Sequence, residues 1–560
     1  MKILYLKQRK ALNMGFLFDK SRSDEFRRFF SQSDFFEEGL NQYKINEDKF
    51  IKVQANFAFT ENNIGGLPLS WNQEEGTVAV DQTDSHSLII GPTGSKKTRL
   101  IAMPTVRIMG KAGESVIISD PKAEIYARTA EYLRSLGYDI SVINLRIPDY
   151  SKRWNPLNIP YHFYCNGDMD KACEFANDIA QNMIPPIDGK DPFWDNSAAS
   201  FLFGLIILLF KYCHEYDMPE KHVNLKNIFE LRNVLFTEID VKNSFLWEYA
   251  KKDAFIRNSL IGTVETAKDT RAGILSTFDQ AMRNISIQPN LLDMLSGNEL
   301  DLNQFLKKKQ VLYLIMPDEK TSYHRLVSLF VKQSYEYFIY LAQKELYDKS
   351  VETGSLPIRI NYILDEFSSL PTVTDFPAMI TAARSRNVRF VLFVQSKHQL
   401  KQRYGDETET ILANCINWVF LTTRELSLLK DISELCGTKD QKPILSVSHL
   451  QRLNKEEGET LILSGRKKPY ISKLPDINLF DQGRFKPIPL VKQTPLTDIE
   501  IDLTPLREEQ QKRIHAIQEQ IVQKNTRIEH LFSDIESTKR ENNLLTVIDN
   551  RMKEFIEKSK

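Results

Sequence analysis

The chain has 560 residues, too many for one hydrophobic core, so about two to four domains are expected. Lys plus Arg and Asp plus Glu balance at 74 each, so no overall field selects a nucleic acid, and any such contact needs a local basic surface. The five cysteines, Cys165, Cys173, Cys213, Cys415 and Cys436, show no C-x-x-C spacing, which argues against a disulfide framework or zinc site and suits a reducing compartment.

Met1 to Lys20 is interrupted by Lys2, Lys7, Arg9 and Lys10, leaving no apolar signal-peptide core. Residues 1–64 read as a mainly helical region, with a helix over Ser23–Phe36 whose Phe26, Phe29, Phe30 and Phe36 suit a core or interface. Gly65, Gly66 and Pro68 mark a turn, and Thr77–Val80 reads as a strand entering the next domain.

Leu88–Ile90 is a short apolar run that fits a buried strand. It leads into Gly91, Pro92, Thr93, Gly94, Ser95, Lys96, Lys97 and Thr98, the spacing of a phosphate-binding loop with Lys96 where glycine is usual. In that register the loop backbone cradles nucleotide phosphates at a helix start. Lys97 reaches the terminal phosphates and Thr98 ligates Mg²⁺. The plainer alternative is a glycine-containing turn ahead of two lysines.

Arg99–Ile108 is the expected helix, kinked at Pro104. The strand Ser115–Ser119 follows, then Asp120 to Glu124, the helix Ile125–Leu136 and the strand Ile140–Asn144. Such alternation predicts the α/β class, a parallel sheet with crossover helices. Ligands bind beyond the carboxyl ends of its strands, where Gly91 and Asp120 fall.

From Trp154 to Ile285 strand patterns vanish, and helical spacing runs through Ala172–Met183, Ser197–Tyr212 and Leu225–Leu235. An all-α insertion over 154–285 is the simplest reading. Ala198–Phe210 is apolar but short against the roughly 20 residues a bilayer demands, so a buried core helix is expected. The α/β pattern resumes with Val311–Met316, the helix Tyr323–Leu346, and strands at Ile358–Leu364, Arg389–Val394, Trp418–Leu421 and Thr460–Leu463. The nucleotide-binding domain is thus expected over 65–153 and 286–484. Pro487, Pro489, Pro495 and Pro505 mark a linker over 485–506. A helical tail over 507–560 carries Ile514, Ile517, Ile521, Ile528, Leu531 and Ile535 at heptad spacing, broken by Thr538, Asn542 and Asp549, so a short, imperfect coiled coil is expected rather than a long one.

The strand ending Leu364-Asp365-Glu366 supplies the second half of a hydrolase: Asp365 for the Mg²⁺ shell and Glu366 to activate water. A strand ending in a helix-capping acid is the plainer alternative. Gln395, at the tip of the Arg389–Val394 strand, fits sensing of the γ-phosphate or placing of the water.

These residues resemble the type IV secretion-system coupling proteins. The resemblance covers roughly Ser87 to Lys473. Its signatures, in order, are Gly91 to Thr98, Asp120 to Glu124, Arg153-Trp154-Asn155-Pro156-Leu157, Phe193-Trp194, Ile274 to Asp279, Leu364 to Phe367, Val394-Gln395-Ser396, Gln399-Leu400 and Tyr404-Gly405. It implies a RecA-like, ATP- and Mg²⁺-dependent hexameric ATPase that delivers single-stranded DNA, with its relaxase complex, to a conjugation channel. The insertion would be the all-α domain that recognises DNA or relaxase. Arg384 would be the arginine projected into a neighbouring subunit's site. The family's N-terminal transmembrane anchor is not evident here. Some members from Gram-positive systems are similar in this, which implies a cytoplasmic ATPase recruited to the membrane's inner face by a separate membrane protein of the channel. Lys96 departs from the loop pattern and leaves a second expectation: a nucleotide-binding docking adaptor with weak or no hydrolysis. A double-stranded DNA translocase is a third, disfavoured by the large insertion.

Overall fold

The computed structural model describes residues 50–54, 65–72, 77–81 and 83–558, apart from 187–190, 238–240, 242–243, 321–322, 350–353, 466–467, 475 and 479–484. The helix expected over Ser23–Phe36 lies outside the described residues.

A small antiparallel sheet comes first, from β1 (Phe50–Gln54), β2 (Leu67–Asn72) and β3 (Thr77–Asp81), in the order β1-β3-β2. The strand β1 departs from the mainly helical reading of 1–64. The strand β2 was obscured by Pro68, read as part of a turn. It lies at the sheet edge and its register shifts between Pro68 and Ser70, an arrangement that tolerates a missing N–H donor.

The main sheet has nine strands. These are β4 (His86–Ile90), β5 (Ser115–Asp120), β6 (Asp139–Asn144), β7 (Gln310–Ile315), β8 (Ile360–Leu364), β9 (Val388–Val394), β10 (Cys415–Phe420), and, beyond the two-residue pair β11 (Thr438–Lys439) and β12 (Lys442–Pro443), β13 (Glu459–Ser464) and β14 (Tyr470–Lys473). Their order is β14-β13-β10-β4-β9-β8-β5-β7-β6. The seven from β10 to β6 pair in parallel, and β13 and β14 close one edge antiparallel. Strands β4, β5, β7, β8 and β9 are buried throughout, as expected when helices cover both faces of a parallel sheet. Alternation divides their side chains: Leu88 and Ile90 join one core cluster, while Ile89 joins the other.

On the Ile89 face pack α1 (Met103–Ala112) and α2 (Glu124–Ser135). Pro104, where a kink is expected, stands second in the α-helix that begins at Met103, directly after a wider π-helical stretch over Thr98–Ala102 that accommodates the missing N–H. Gly110 lets these helices close up, since a Cβ there would come within 2.0 Å of Leu133 Cδ2.

Between β6 and β7 the described residues form only helices, α3 (Asn158–Cys165), α4 (Met169–Met183), α5 (Phe193–Glu215), α6 (Leu225–Leu235), α7 (Phe245–Ala250), α8 (Ala254–Val264), α9 (Lys268–Ser286) and α10 (Pro289–Met294), with short 3-10 turns. By length and composition α5 could cross a membrane, yet 67% of its most apolar window is buried within the fold, consistent with a core helix. The long α11 (His324–Lys349) joins this region to the sheet's second face. Shorter helices follow: α12 (Phe376–Ala383), α13 (Lys397–Tyr404), α14 (Thr408–Asn414), α15 (Leu426–Leu435) and α16 (Val447–Gln451).

The proline-containing segment is a strap laid across the body. Tyr126 on α2 donates its hydroxyl to the Ile488 carbonyl at 2.6 Å, and the Gln493 N–H donates to the Asp149 carbonyl at 2.7 Å. Arg153 donates to Gln493 Oε1 at 3.3 Å and to the Thr494 carbonyl. Asn224 and Asn227 both donate to the Ile499 carbonyl, at 3.0 and 2.7 Å, and Tyr212 donates to Asp502. Prolines hold such a segment extended without pairing it into a sheet, so side chains satisfy its backbone instead. From it springs α17 (Thr504–Lys558), one unbroken helix. Thr538, Asn542 and Asp549 interrupt its apolar stripe but not the helix.

Candidate active site

Strand β4 lies inside the sheet, between β9 and β10, and Gly91 turns off its carboxyl end. The Gly91 N–H donates to the Val394 carbonyl at the end of β9, at 3.1 Å, which anchors the loop. A Cβ on Gly91 would stand 2.8 Å from Ser95 Oγ, so the loop folds back too tightly for any other residue. Two residues take left-handed conformations, Gly94 at φ 79° and Lys96 at φ 67°. Lys96 therefore stands where glycine is free of strain and an L-residue is not. The Ser95 hydroxyl is buried without a hydrogen-bond partner, an arrangement that suits an oxyanion ligand.

Lys97 is buried, and its Nζ donates to the Gly91 carbonyl and lies 4.0 Å from Glu366 Oε1. Burial lowers its pKa, against the pull of Glu366 and Asp365. The Thr98 hydroxyl donates to Asp365 Oδ2 at 3.3 Å. Asp365 follows β8, two positions from β4 in strand order, and Ser119 near the end of β5 donates to its carbonyl at 2.9 Å. Burial, then the adjacent Glu366, pushes the Asp365 carboxyl up to about 6. Glu366 adopts φ 55° and accepts from Gln395 Nε2 at 2.8 Å, so the tip of β9 clasps the tip of β8.

Gly91 to Thr98, Asp365, Glu366 and Gln395 thus converge at one end of the sheet. Arg384 does not join them. It stands in the 3-10 turn Arg384–Arg386 before β9, at the opposite end of that strand, where its guanidinium pairs with Asp84 Oδ1 at 2.9 Å. Sequence reasoning missed three neighbours. Lys96 Nζ is held by Glu456, and Lys455 Nζ lies 3.5 Å from the Gly94 carbonyl, both from the turn before β13. Lys122 bears electrostatically on Lys97 and lowers its pKa. The first two are some 360 positions away in sequence, and no local pattern announces them. Lys122 stands inside the quoted Asp120–Glu124 stretch, where only its place beyond a strand end hinted at a role. Among the described residues no three or more His, Cys, Asp or Glu side chains cluster as a metal site.

The family model for type IV secretory system conjugative DNA transfer matches residues 28–452. The chain belongs to that family. Solved structures agree on the fold. The family's unbound bacterial conjugative coupling protein TrwB aligns with a TM-score of 0.51 at 14% identity, covering 75% of this chain and 90% of that one. TrwB with the non-hydrolysable ATP analogue ADPNP gives 0.54 at 14% identity, over 80% and 97%. TrwB with ADP and Mg²⁺ gives 0.50 at 15% identity, over 74% and 87%. At such identity the likeness is one of architecture: the family's α/β, RecA-like core with an all-α region. A comparison with curated protein sequences returned no match.

Proposed function

We propose that this family member is an ATPase that couples nucleotide hydrolysis to delivery of single-stranded DNA, with its relaxase, to a conjugation channel at the cytoplasmic face of the membrane. The observation that carries this reading is the Asp365-Glu366 pair facing the phosphate loop, with Thr98 bonded to the first carboxylate and Gln395 to the second. The unpartnered Ser95 hydroxyl and the buried Lys97 fit a polyphosphate, and the Thr98–Asp365 pair fits Mg²⁺. TrwB has been solved with an ATP analogue and with ADP and Mg²⁺, which supports the same ligands here. The metal supplies charge neutralisation on the terminal phosphates.

In this scheme Lys97 exchanges the Gly91 carbonyl for the terminal phosphates. Glu366 takes the proton of the attacking water, and Gln395 holds the carboxylate in place until then. Lys96 and Lys122 add positive potential at the loop mouth. The helical region between β6 and β7 receives the DNA or relaxase.

Phosphate release from the purified full chain, with and without single-stranded DNA, tests this. Lys97→Ala is expected to lose nucleotide binding. Glu366→Gln is expected to retain binding and lose turnover by roughly a hundredfold or more. Full turnover in Glu366→Gln overturns the reading.

A second reading, a docking adaptor with slow hydrolysis, draws on Lys96, which is left-handed and tied to Glu456. Negligible DNA-stimulated turnover in wild type that rises in Lys96→Gly favours the adaptor.

A further inference from the structure

From residue 511 to 558 every residue of α17 is exposed, and only Leu506 and Gln510 at its root are buried against the body. Isolated helices draw little stability from propensity alone, so a 55-residue helix with an apolar stripe calls for a partner along its length. The stripe keeps one unbroken heptad frame from Ile514 to Ile556. Its six most regular apolar positions, Ile514 to Ile535, are each 49–56% exposed. Within that frame two core positions are charged, Lys524 and Asp549, and two are polar, Thr538 and Asn542.

Those exceptions choose the partner. Two copies aligned in parallel and in register would set Asp549 on Asp549 and Lys524 on Lys524, two like-charged core layers. Two copies aligned antiparallel about a point midway between positions 536 and 537 place each Lys524 opposite an Asp549. The same alignment stacks Ile517 on Ile556 and Ile528 on Leu545, leaving Asn542 against Leu531. A parallel pair would do better at Asn542 and Thr538, which could each bond their own copy instead of facing Leu531 and Ile535, and at the rim, where Asp534 would meet Lys539. The antiparallel pair sets Asp534 near Glu541 at that exposed rim, where charge matters least.

We infer that α17 is a self-association element: two copies of this chain join through an antiparallel two-stranded coiled coil over about 58 Å, from Ile517 to Ile556, with their bodies at opposite ends. This inference is independent of the nucleotide reading.

Sedimentation of the full chain over a concentration series tests it, with Lys524→Asp, Asp549→Lys and the double exchange. Both substituted positions lie on an exposed helix face, and helix content by circular dichroism controls for folding. Each single variant is expected to weaken tail-dependent association by about tenfold or more, and the double exchange to restore it. Single variants that associate as wild type, as a parallel pair or a different protein partner would require, overturn the inference. So does a double exchange as weak as the singles.

Discussion

Asp120 shows how one buried group sets the site's behaviour with pH. It is 1% exposed at the end of β5, and its carboxylate accepts the Tyr126 N–H at 2.7 Å, capping α2 from below. Burial outweighs that bond and pushes its pKa up to about 7. A carboxyl whose folded pKa lies above its unfolded value binds protons more tightly when folded. Its ionisation therefore costs stability increasingly as pH rises from about 4 to 7, and the full cost stands above 7. Asp120→Asn keeps an oxygen for Tyr126 and removes the charge. Its melting temperature is expected to exceed that of wild type at pH 8, with the difference shrinking toward pH 5. A constant difference across that range would show that Asp120 does not titrate there.

At the scale of elements, the strap and the motif that grips it decide how the helical region is held. Arg153 is 6% exposed and donates to Asp293 Oδ2 at 3.0 Å and Glu299 Oε1 at 3.1 Å besides its strap contacts. Removing it strands two carboxylates and frees the strap at its middle. Arg153→Ala is expected to cost about 3 kcal/mol in denaturant unfolding and to open the chain near Thr494 to proteases. An unchanged denaturation midpoint and cleavage pattern would refute this. The sequence made some elements plain and hid others for physical reasons. Strands β4, β5, β8 and β9 are continuous apolar runs because both faces are covered, and they announce themselves. Strand β2 carries a proline and polar residues because it lies at an edge. The strap reads as a loose linker because its partners, Tyr126, Arg153 and Asn227, lie hundreds of residues earlier. The same non-local logic hid Glu456 beside Lys96, while the loop and the Asp365-Glu366 pair were legible because each is a contiguous motif.

For the molecule as a whole, Arg384 poses the question of assembly. About 20 Å of strand separates it from Gln395, so it cannot serve the phosphate loop of its own chain. Its Asp84 partner is as exposed as it is, and such surface pairs are easily exchanged. We propose that, in a ring of subunits, Arg384 from one would complete the site of the next. Arg384→Ala is then expected to bind nucleotide and lose turnover by about a thousandfold. Mixed one to one with Lys97→Ala, it should regain activity at about a quarter of the interfaces, those with one intact loop and one intact arginine. Mixtures as inactive as their components would exclude a shared site.

The strap also sets a mechanical limit. Pinned at Ile488 on α2 and at Asp502 on α5, it is a tie rod of at most about 50 Å that cannot stretch. The helical region can pivot about that tie but cannot draw away from the sheet. Because the root of α17 is fixed at the far end of the tie, any such pivot swings the whole rod, turning a small rotation at the body into a sweep of several nanometres at its tip.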